Sequence, residues 1–305
     1  MTEATAPRLR VGVQLPEVER EVRWVELAEM ARLAEAVGFE SIWVGDHLLY
    51  RSGSIARGPW EAWSVLAALA AITERVEIGP LVAATSFHAP AMLAKKAATV
   101  DEISGGRLIL GLGAGWNEVE YRAFGFRFDR RVSRFEEAFT IIRTLLREGA
   151  VDFRGEFYEA EQCELLPRPT RPGGPPLMVG SMGERMLRIT LPHVAAWNAW
   201  YEWYGNRPDG LADLVGRIDA ACRAVGRDPA EVEYTAAVLV APLTPEGRLD
   251  WDADRRGAAP VTGSAAEISA VLRRMHDAGV DHLQLVLDPI SPESIEACAE
   301  VLAAV

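Results

Sequence analysis

Residues 107–125 read RLILGLGAGWNEVEYRAFG, an apolar run that ends on glycines at alternate positions, Gly111, Gly113 and Gly115. Glycines after a strand let a backbone hug a phosphate, and the dinucleotide fingerprint built this way is Gly-x-Gly-x-x-Gly. Counted from Gly111 or from Gly113, the sixth position is Trp116 or Glu118, so both registers fail. The stretch then reads as a buried strand leaving through a glycine-rich exit, where Gly111, Gly113 and Gly115 permit close backbone approach or positive φ. Asn117 adds a donor and an acceptor. The alternate glycines serve either an approaching ligand or the relief of crowding where a barrel narrows.

The flanking sequence tells which fold supplies such an exit. Apolar β-type runs lie at 9–15, 41–45, 76–82, 107–113, 176–180, 194–198, 233–240 and 282–287. Amphipathic helical patterns include 20–37, 61–73, 90–103, 132–148, 183–191, 209–225, 264–278 and 292–304. Apolar strands separated by helices imply a parallel sheet covered on both faces. Eight such units predict an α/β chain folded as a (β/α)8 TIM barrel, one domain over 1–305 with insertions near 48–60, 115–131, 150–175 and 242–262. A doubly wound open sheet is the alternative. Inside the third insertion, VDFRGEFYEA (151–160) predicts a small hairpin.

Composition bounds the partners. A formal net charge of −12, with no clustered Lys or Arg, argues against nucleic acid, because phosphate backbones demand grouped cations. Cys163, Cys222 and Cys298 are far apart and odd in number, which predicts neither a disulfide framework nor a metal site. The start, MTEATAPRLR, has no apolar signal core, and runs such as VLAALAAI (65–72) are too short to span a bilayer. The expectation is a soluble, cytoplasmic protein without a membrane partner.

In a barrel the residues just past the strand C-termini line one mouth, and that mouth holds the active site. WVGDHLLY (43–50) puts Asp46 and His47 there. Histidine titrates near neutrality and can move a proton, with a carboxylate beside it to orient or tune it; the plainer alternative is a strand-end Asp capping a turn and a His satisfied by backbone. At the next exit, IGPLVAATSFHAP (78–90), Ala83, Ala84 and Ser86 leave room for a flat ligand or for a neighbouring loop, and His88 leads into a helix. Gly180-Ser181-Met182-Gly183 opens a helix directly after a strand, which makes an anion site of the unpaired amides or an ordinary N-cap of Ser181. WNAWYEWYG (197–205) carries three of the nine tryptophans, a cover for an apolar ligand, a dimer contact or plain core.

Taken together, these motifs resemble the bacterial luciferase-like monooxygenase superfamily, in particular its coenzyme F420-dependent branch. The resemblance rests on GFESIWVGDHLL (38–49), the span 74–125, RFEEAFTIIRTLL (134–146), VGSMGERMLRI (179–189) with AAWN (195–198), and AAEISAVLRRMHDAGVDHLQLVL (265–287). It implies a barrel with family-type insertions, often a homodimer, with a flavin-like ring at the mouth. Carried over residue by residue, it implies that Asp46 and His47 contact the deazaflavin ring and that His47 serves as catalytic base where the substrate is an alcohol. It places a backbone bulge, often a non-prolyl cis peptide, at Leu81–Val82 behind the ring, with Ala83 beside it where many relatives carry a hydroxyl. It also implies cofactor contacts from Ala114, Gly115, Trp116 and Asn117, and a phosphate turn at Gly180, Ser181, Met182 and Gly183, where relatives often have a further glycine.

The expected function is an F420-dependent oxidoreductase that passes a hydride between the deazaflavin and a small, apolar organic substrate. Reduction of an enone or imine calls for an acid in place of the base. An FMN-dependent monooxygenase is the alternative in the same fold, and a non-catalytic flavin-binding barrel is the third reading. Gln14, Trp43, the 48–60 loop, Trp116 and the 198–205 aromatics, Trp200 among them, are the expected substrate pocket.

Overall fold

The strands appear where the apolar runs predict them, in a computed structural model that describes residues 8–246 and 258–305. They are β1 (Arg10–Gln14), β2 (Ser41–Val44), β3 (Glu77–Pro80), β4 (Leu110–Gly113), β5 (Leu177–Gly180), β6 (Ala196–Ala199), β7 (Glu233–Ala241) and β8 (His282–Leu287). All pair in parallel, in the order β3–β2–β1–β8–β7–β6–β5–β4. The third strand is broken: after Pro80 the chain turns, and Ala83–Ala84 resumes the ladder against Leu112–Gly113 of β4. Between β3 and the residues ahead of β4, Ile109 N donates to Ile78 O at 2.9 Å and Ile78 N to Arg107 O at 3.0 Å. The sheet thereby closes on itself, which rules out the open-sheet alternative.

The helices α1 (Trp24–Val37), α2 (Ala62–Ile72), α3 (Pro90–Ile103), α4 (Glu118–Phe124), α5 (Arg131–Glu148), α6 (Glu184–Thr190), α7 (Pro208–Ala224), α8 (Ala265–Asp277) and α9 (Pro292–Ala303) follow the predicted patterns, apart from the short α4. Their sequences explain why. Along α5, Phe135, Ala138, Phe139, Ile142, Leu145 and Leu146 recur at helical spacing and are all buried, each large side chain contributing about 1.5–3 kcal/mol by leaving water. α8 begins with a reciprocal cap, Ser264 accepting from Glu267 N while the Glu267 carboxylate accepts from Ser264 N. α1 begins at Trp24, later than the expected 20, and Arg20 ahead of it donates to Ile290 O. No helix among the described residues is long and apolar enough to cross a membrane.

The insertions sit at the strand C-termini and beyond. An antiparallel hairpin pairs Tyr50–Ser52 with Ile55–Arg57, and α4 occupies part of 115–131. The hairpin predicted in the third insertion pairs Ala150–Arg154 with Glu159–Glu164. Of the insertion expected at 242–262, residues 247–257 lie outside the described residues.

Inside the barrel, side chains fill the space in polar as well as apolar layers. Trp43 Nε1 donates to Ser41 Oγ at 2.8 Å, and Ser41 Oγ lies 2.7 Å from His282 Nε2. Asn198 Nδ2 donates at 2.8 Å to both Thr235 Oγ1 and Gln284 Oε1. Burial, with Arg10 nearby, pushes His282 down to about 3, so it is a neutral structural residue. The exits of β1, β2, β3 and β4 are consecutive around the rim, and residues from all four meet there.

Candidate active site

Gly45, Asp46 and His47 end the second unit and have three different duties. A Cβ added at Gly45 would fall 2.5 Å from Glu17 Oε2, so glycine here lets the Glu17 carboxylate lie against the exit of β2. Asp46 is 2% exposed and accepts from the Ala84 amide and from His88 Nε2, both at 2.9 Å. Its carboxylate thus braces the exit of the third strand through Oδ2. His88, read from sequence as a residue leading into α3, is the other half of it.

His47 lies between two carboxylates brought from other exits. Its Nδ1 is 2.8 Å from Glu120 Oε1 on α4, and its Nε2 is 3.8 Å from Glu17 Oε1 in the loop after β1. Glu17 Oε1 also accepts from Tyr50 Oη at 2.9 Å, and Glu17 Oε2 from Gln14 Nε2 at 2.9 Å. Glu120 Oε2 accepts from the amides of Leu48 at 2.8 Å and Leu49 at 3.3 Å. Burial alone would push the imidazole down, but the Glu17 charge, the Glu120 hydrogen bond and charge, and the Asp46 charge outweigh it and raise His47 to about 9. Burial first, and Glu17 next, push the Tyr50 phenol well above its usual value, so it remains a donor.

The motif that follows β4 is now explained. Trp116 stands half-exposed over this cluster, its ring 5.6 Å from His47 and 5.9 Å from Tyr50. Asn117 Nδ2 donates to Leu49 O at 2.9 Å, which ties the start of α4 to the chain beside His47. Asn117 and Glu120 are three apart, on one face of the start of α4, and together grip residues 47–49. Ala114 O accepts from Tyr121 Oη at 2.9 Å; at Gly115, with φ of 74°, an added Cβ would meet that hydroxyl at 2.0 Å.

The other glycines answer to Val82. The Leu81–Val82 peptide is cis, as the resemblance implied. A Cβ on Gly113 would lie 2.8 Å from Val82 Cγ2, one on Gly111 2.9 Å from Val82 Cγ1, and one on Gly180 3.3 Å from both methyls. Val82, and at Gly111 also the Pro80 carbonyl at 2.3 Å, leave no room for a Cβ at Gly111 and Gly113, as the crowding alternative expects. Ala83 is fully buried in the same layer, while Leu81 N donates to Val44 O at 2.8 Å.

The remaining expected residues are spread around the rim. At the turn after β5, the N-cap of α6 is Gly183, not Ser181, and no side chain caps it. Ser181 Oγ accepts weakly from Gly183 N at 3.3 Å, Ser181 O accepts from Trp197 Nε1 at 2.7 Å, and Met182 packs on the core. Beside this turn, a groove of about 430 Å³ is lined by Phe128, Arg130, Arg131, Val132, Ser133 and Arg185. Arg185 donates to Glu136 and Ser133, Arg130 pairs with Glu156, and Arg131 lies 3.7 Å over the Phe128 ring. Trp200 follows β6, four places round the ring from β2, so it stands across the rim from His47. Trp43 is fully buried in the barrel interior, and Gln14 is buried beside Glu17, with Oε1 lacking a partner. Glu17 and Glu120 were not foreseen, and Tyr50 only as part of the 48–60 loop. The Asn117-x-x-Glu120 spacing is the one local signal that pointed to either carboxylate.

The family model described as luciferase-like monooxygenase matches residues 8–247. The 5,10-methylenetetrahydromethanopterin reductase of Archaeoglobus fulgidus is 32% identical over 169 residues, 55% of this chain and 47% of that protein. The pyrimidine monooxygenase RutA of Cronobacter sakazakii is 31% identical over 204 residues, 65% of this chain and 58% of that protein. The match thus spans only about half the length of these curated relatives. Among solved structures, an F420-dependent secondary alcohol dehydrogenase in complex with an F420-acetone adduct superposes with a TM-score of 0.80 at 21% identity, over 97% of this chain and 99% of that one. The monooxygenase RslO1 from Streptomyces bottropensis does so with a TM-score of 0.78 at 22% identity, over 97% and 99%. At such identities these two speak for the fold.

Proposed function

The chain belongs to the luciferase-like monooxygenase family, and from that premise we propose that it is an F420-dependent reductase in which His47 supplies a proton to a small unsaturated substrate. The observation that carries this reading is the seat of His47, with Glu120 Oε1 at 2.8 Å from one nitrogen and Glu17 Oε1 at 3.8 Å from the other. A group raised to about 9 carries its proton at neutral pH, so it donates and has no room to accept. This favours protonation of a carbonyl, imine or enone over removal of an alcohol proton, and replaces the base role implied by the resemblance. When bound, a reduced deazaflavin supplies the hydride. The chain's own part is to present the proton, exclude bulk water with Trp116 and Tyr50, and recharge His47 from solvent between turnovers.

The residues present fit such a group. Gln14 Oε1 is a buried acceptor without a partner, the kind of atom a ring N–H satisfies. Val82 offers an apolar surface at the mouth, and Gly180–Gly183 with the uncapped start of α6 suits a phosphate. The neighbouring arginine-lined groove suits the further anionic tail that F420 has and FMN lacks. An FMN-dependent monooxygenase is the second reading, favoured by the likeness to the RutA proteins.

Parallel titrations with F420 and FMN, followed by turnover of simple enones, imines and ketones with reduced F420, test the proposal. The expected result is tighter binding of F420, and a loss of at least about 100-fold in kcat for His47→Gln with F420 affinity largely kept. Tighter FMN binding, or undiminished turnover in His47→Gln, overturns it.

A further inference from the structure

Glu120 is 1% exposed, and both of its oxygens are engaged by three successive residues: Oε1 by His47 Nδ1, Oε2 by the amides of Leu48 and Leu49. Asn117, on the same face of α4, adds its bond to Leu49 O. This is a clamp aimed at one side chain and the backbone that carries it. An ionised carboxylate only accepts, so Nδ1 must be the donor in this pair, and a flipped ring, which puts Cδ2 where Nδ1 stands, would lose the bond. The other nitrogen, Nε2, is 3.8 Å from Glu17 Oε1, beyond hydrogen-bond distance, and is the one left for chemistry.

Among the described residues, the charged and titratable groups that face the ring are Glu17 from the β1 loop, Asp46 from the β2 exit, Glu120 from α4, and the Tyr50 phenol from the hairpin. Glu17 acts on His47 through its charge across a gap, and Asp46 is engaged with Ala84 and His88. Among these groups Glu120 alone makes a hydrogen bond to the imidazole. We infer that Glu120 is a positioning residue: it fixes His47 with Nδ1–H turned to α4 and Nε2–H left to the substrate, and it keeps the ring protonated between turnovers. The inference deepens the reading of His47 as proton donor and rests on it for its catalytic consequence, but its structural content is measured without any cofactor.

Nitrogen-15 imidazole spectra of the ligand-free protein read both features, with the His47 signals assigned by their loss in His47→Gln. In the wild type both nitrogens are expected to be protonated at pH 7.5, with the titration midpoint well above that of a free histidine. Glu120→Gln is expected to lower the midpoint by about one unit or more, because an opposite charge in contact is removed. In turnover the alkaline limb of kcat moves down with it, while KM and F420 affinity change less than kcat. A neutral His47 in the wild type at pH 7.5 overturns the inference even if Glu120→Gln does not fold. An unmoved midpoint in a folded Glu120→Gln overturns it equally. Failure of F420 to bind, with the spectra as expected, sinks the reading of the function and leaves the positioning role standing.

Discussion

Asp46 Oδ2 stands 2.9 Å from His88 Nε2, and the same oxygen takes the Ala84 amide, so one buried carboxylate joins the exits of adjacent barrel strands. His88 in turn sets its ring edge-on to Trp63 of α2, with centroids 6.4 Å apart. The motif Gly45-Asp46-His47 is therefore a division of labour: room for Glu17, a brace for the third strand, and a held imidazole.

Removing the brace leaves two buried donors without an acceptor. Asp46→Ala is expected to cost about 2–4 kcal/mol of unfolding free energy, since bonds to a charged group are worth about 1.5–3 kcal/mol and stranded donors add to the loss. Urea unfolding of the two proteins measures it. A change below about 0.5 kcal/mol is incompatible with the clamp.

Gly45→Ala drives a methyl to within 2.5 Å of Glu17 Oε2, and Glu17 is held in place by Tyr50 and Gln14. The expected outcome is a displaced Glu17, a lower His47 midpoint and a stability loss of about 1–3 kcal/mol from overpacking. The imidazole titration distinguishes this from simple core strain, which would leave His47 unmoved.

The two β4 glycines separate cleanly in their contacts. At Gly113 an added methyl meets Val82 Cγ2 at 2.8 Å, while at Gly111 it meets the Pro80 carbonyl at 2.3 Å as well as Val82. Gly113→Ala is expected to cost about 1–3 kcal/mol and to be substantially rescued by Val82→Ala, with a coupling of about 0.5 kcal/mol or more. Gly111→Ala is expected to remain destabilised in the same background, because backbone does not give way. Equal additivity at both positions would mean that Val82 is not what these glycines accommodate.

The barrel was legible because its signals are local. Each strand is a short apolar run, and each major helix carries its own period, as in Phe135, Phe139, Ile142 and Leu146. His47 was legible for the same reason, lying one step past a strand. Its partners were not, since Glu17 is 30 residues away and Glu120 is 73 residues away from it. The bond from Asn117 to Leu49 O was not legible, because a side chain with both donor and acceptor looks alike whether it meets a ligand or a neighbouring carbonyl. The burial of Trp43 was not legible either, because a strand-end tryptophan points either into the barrel or over its rim, and one residue of register decides which.

His47 and His282 should pull stability in opposite directions with pH. His47 is raised in the folded state to about 9, so its contribution is fully present below the unfolded value of about 6.5 and is lost as pH rises through 9. His282 is depressed to about 3, so its contribution is present above about 6.5 and is lost as pH falls toward 3. Between pH 6.5 and 9.5, unfolding free energy is expected to fall by roughly 3 kcal/mol through His47, and His47→Gln should remove most of that slope while leaving the acid side unchanged. Urea titrations of both proteins at several pH values measure the difference directly. An alkaline slope that survives in His47→Gln would place its origin elsewhere than in this imidazole.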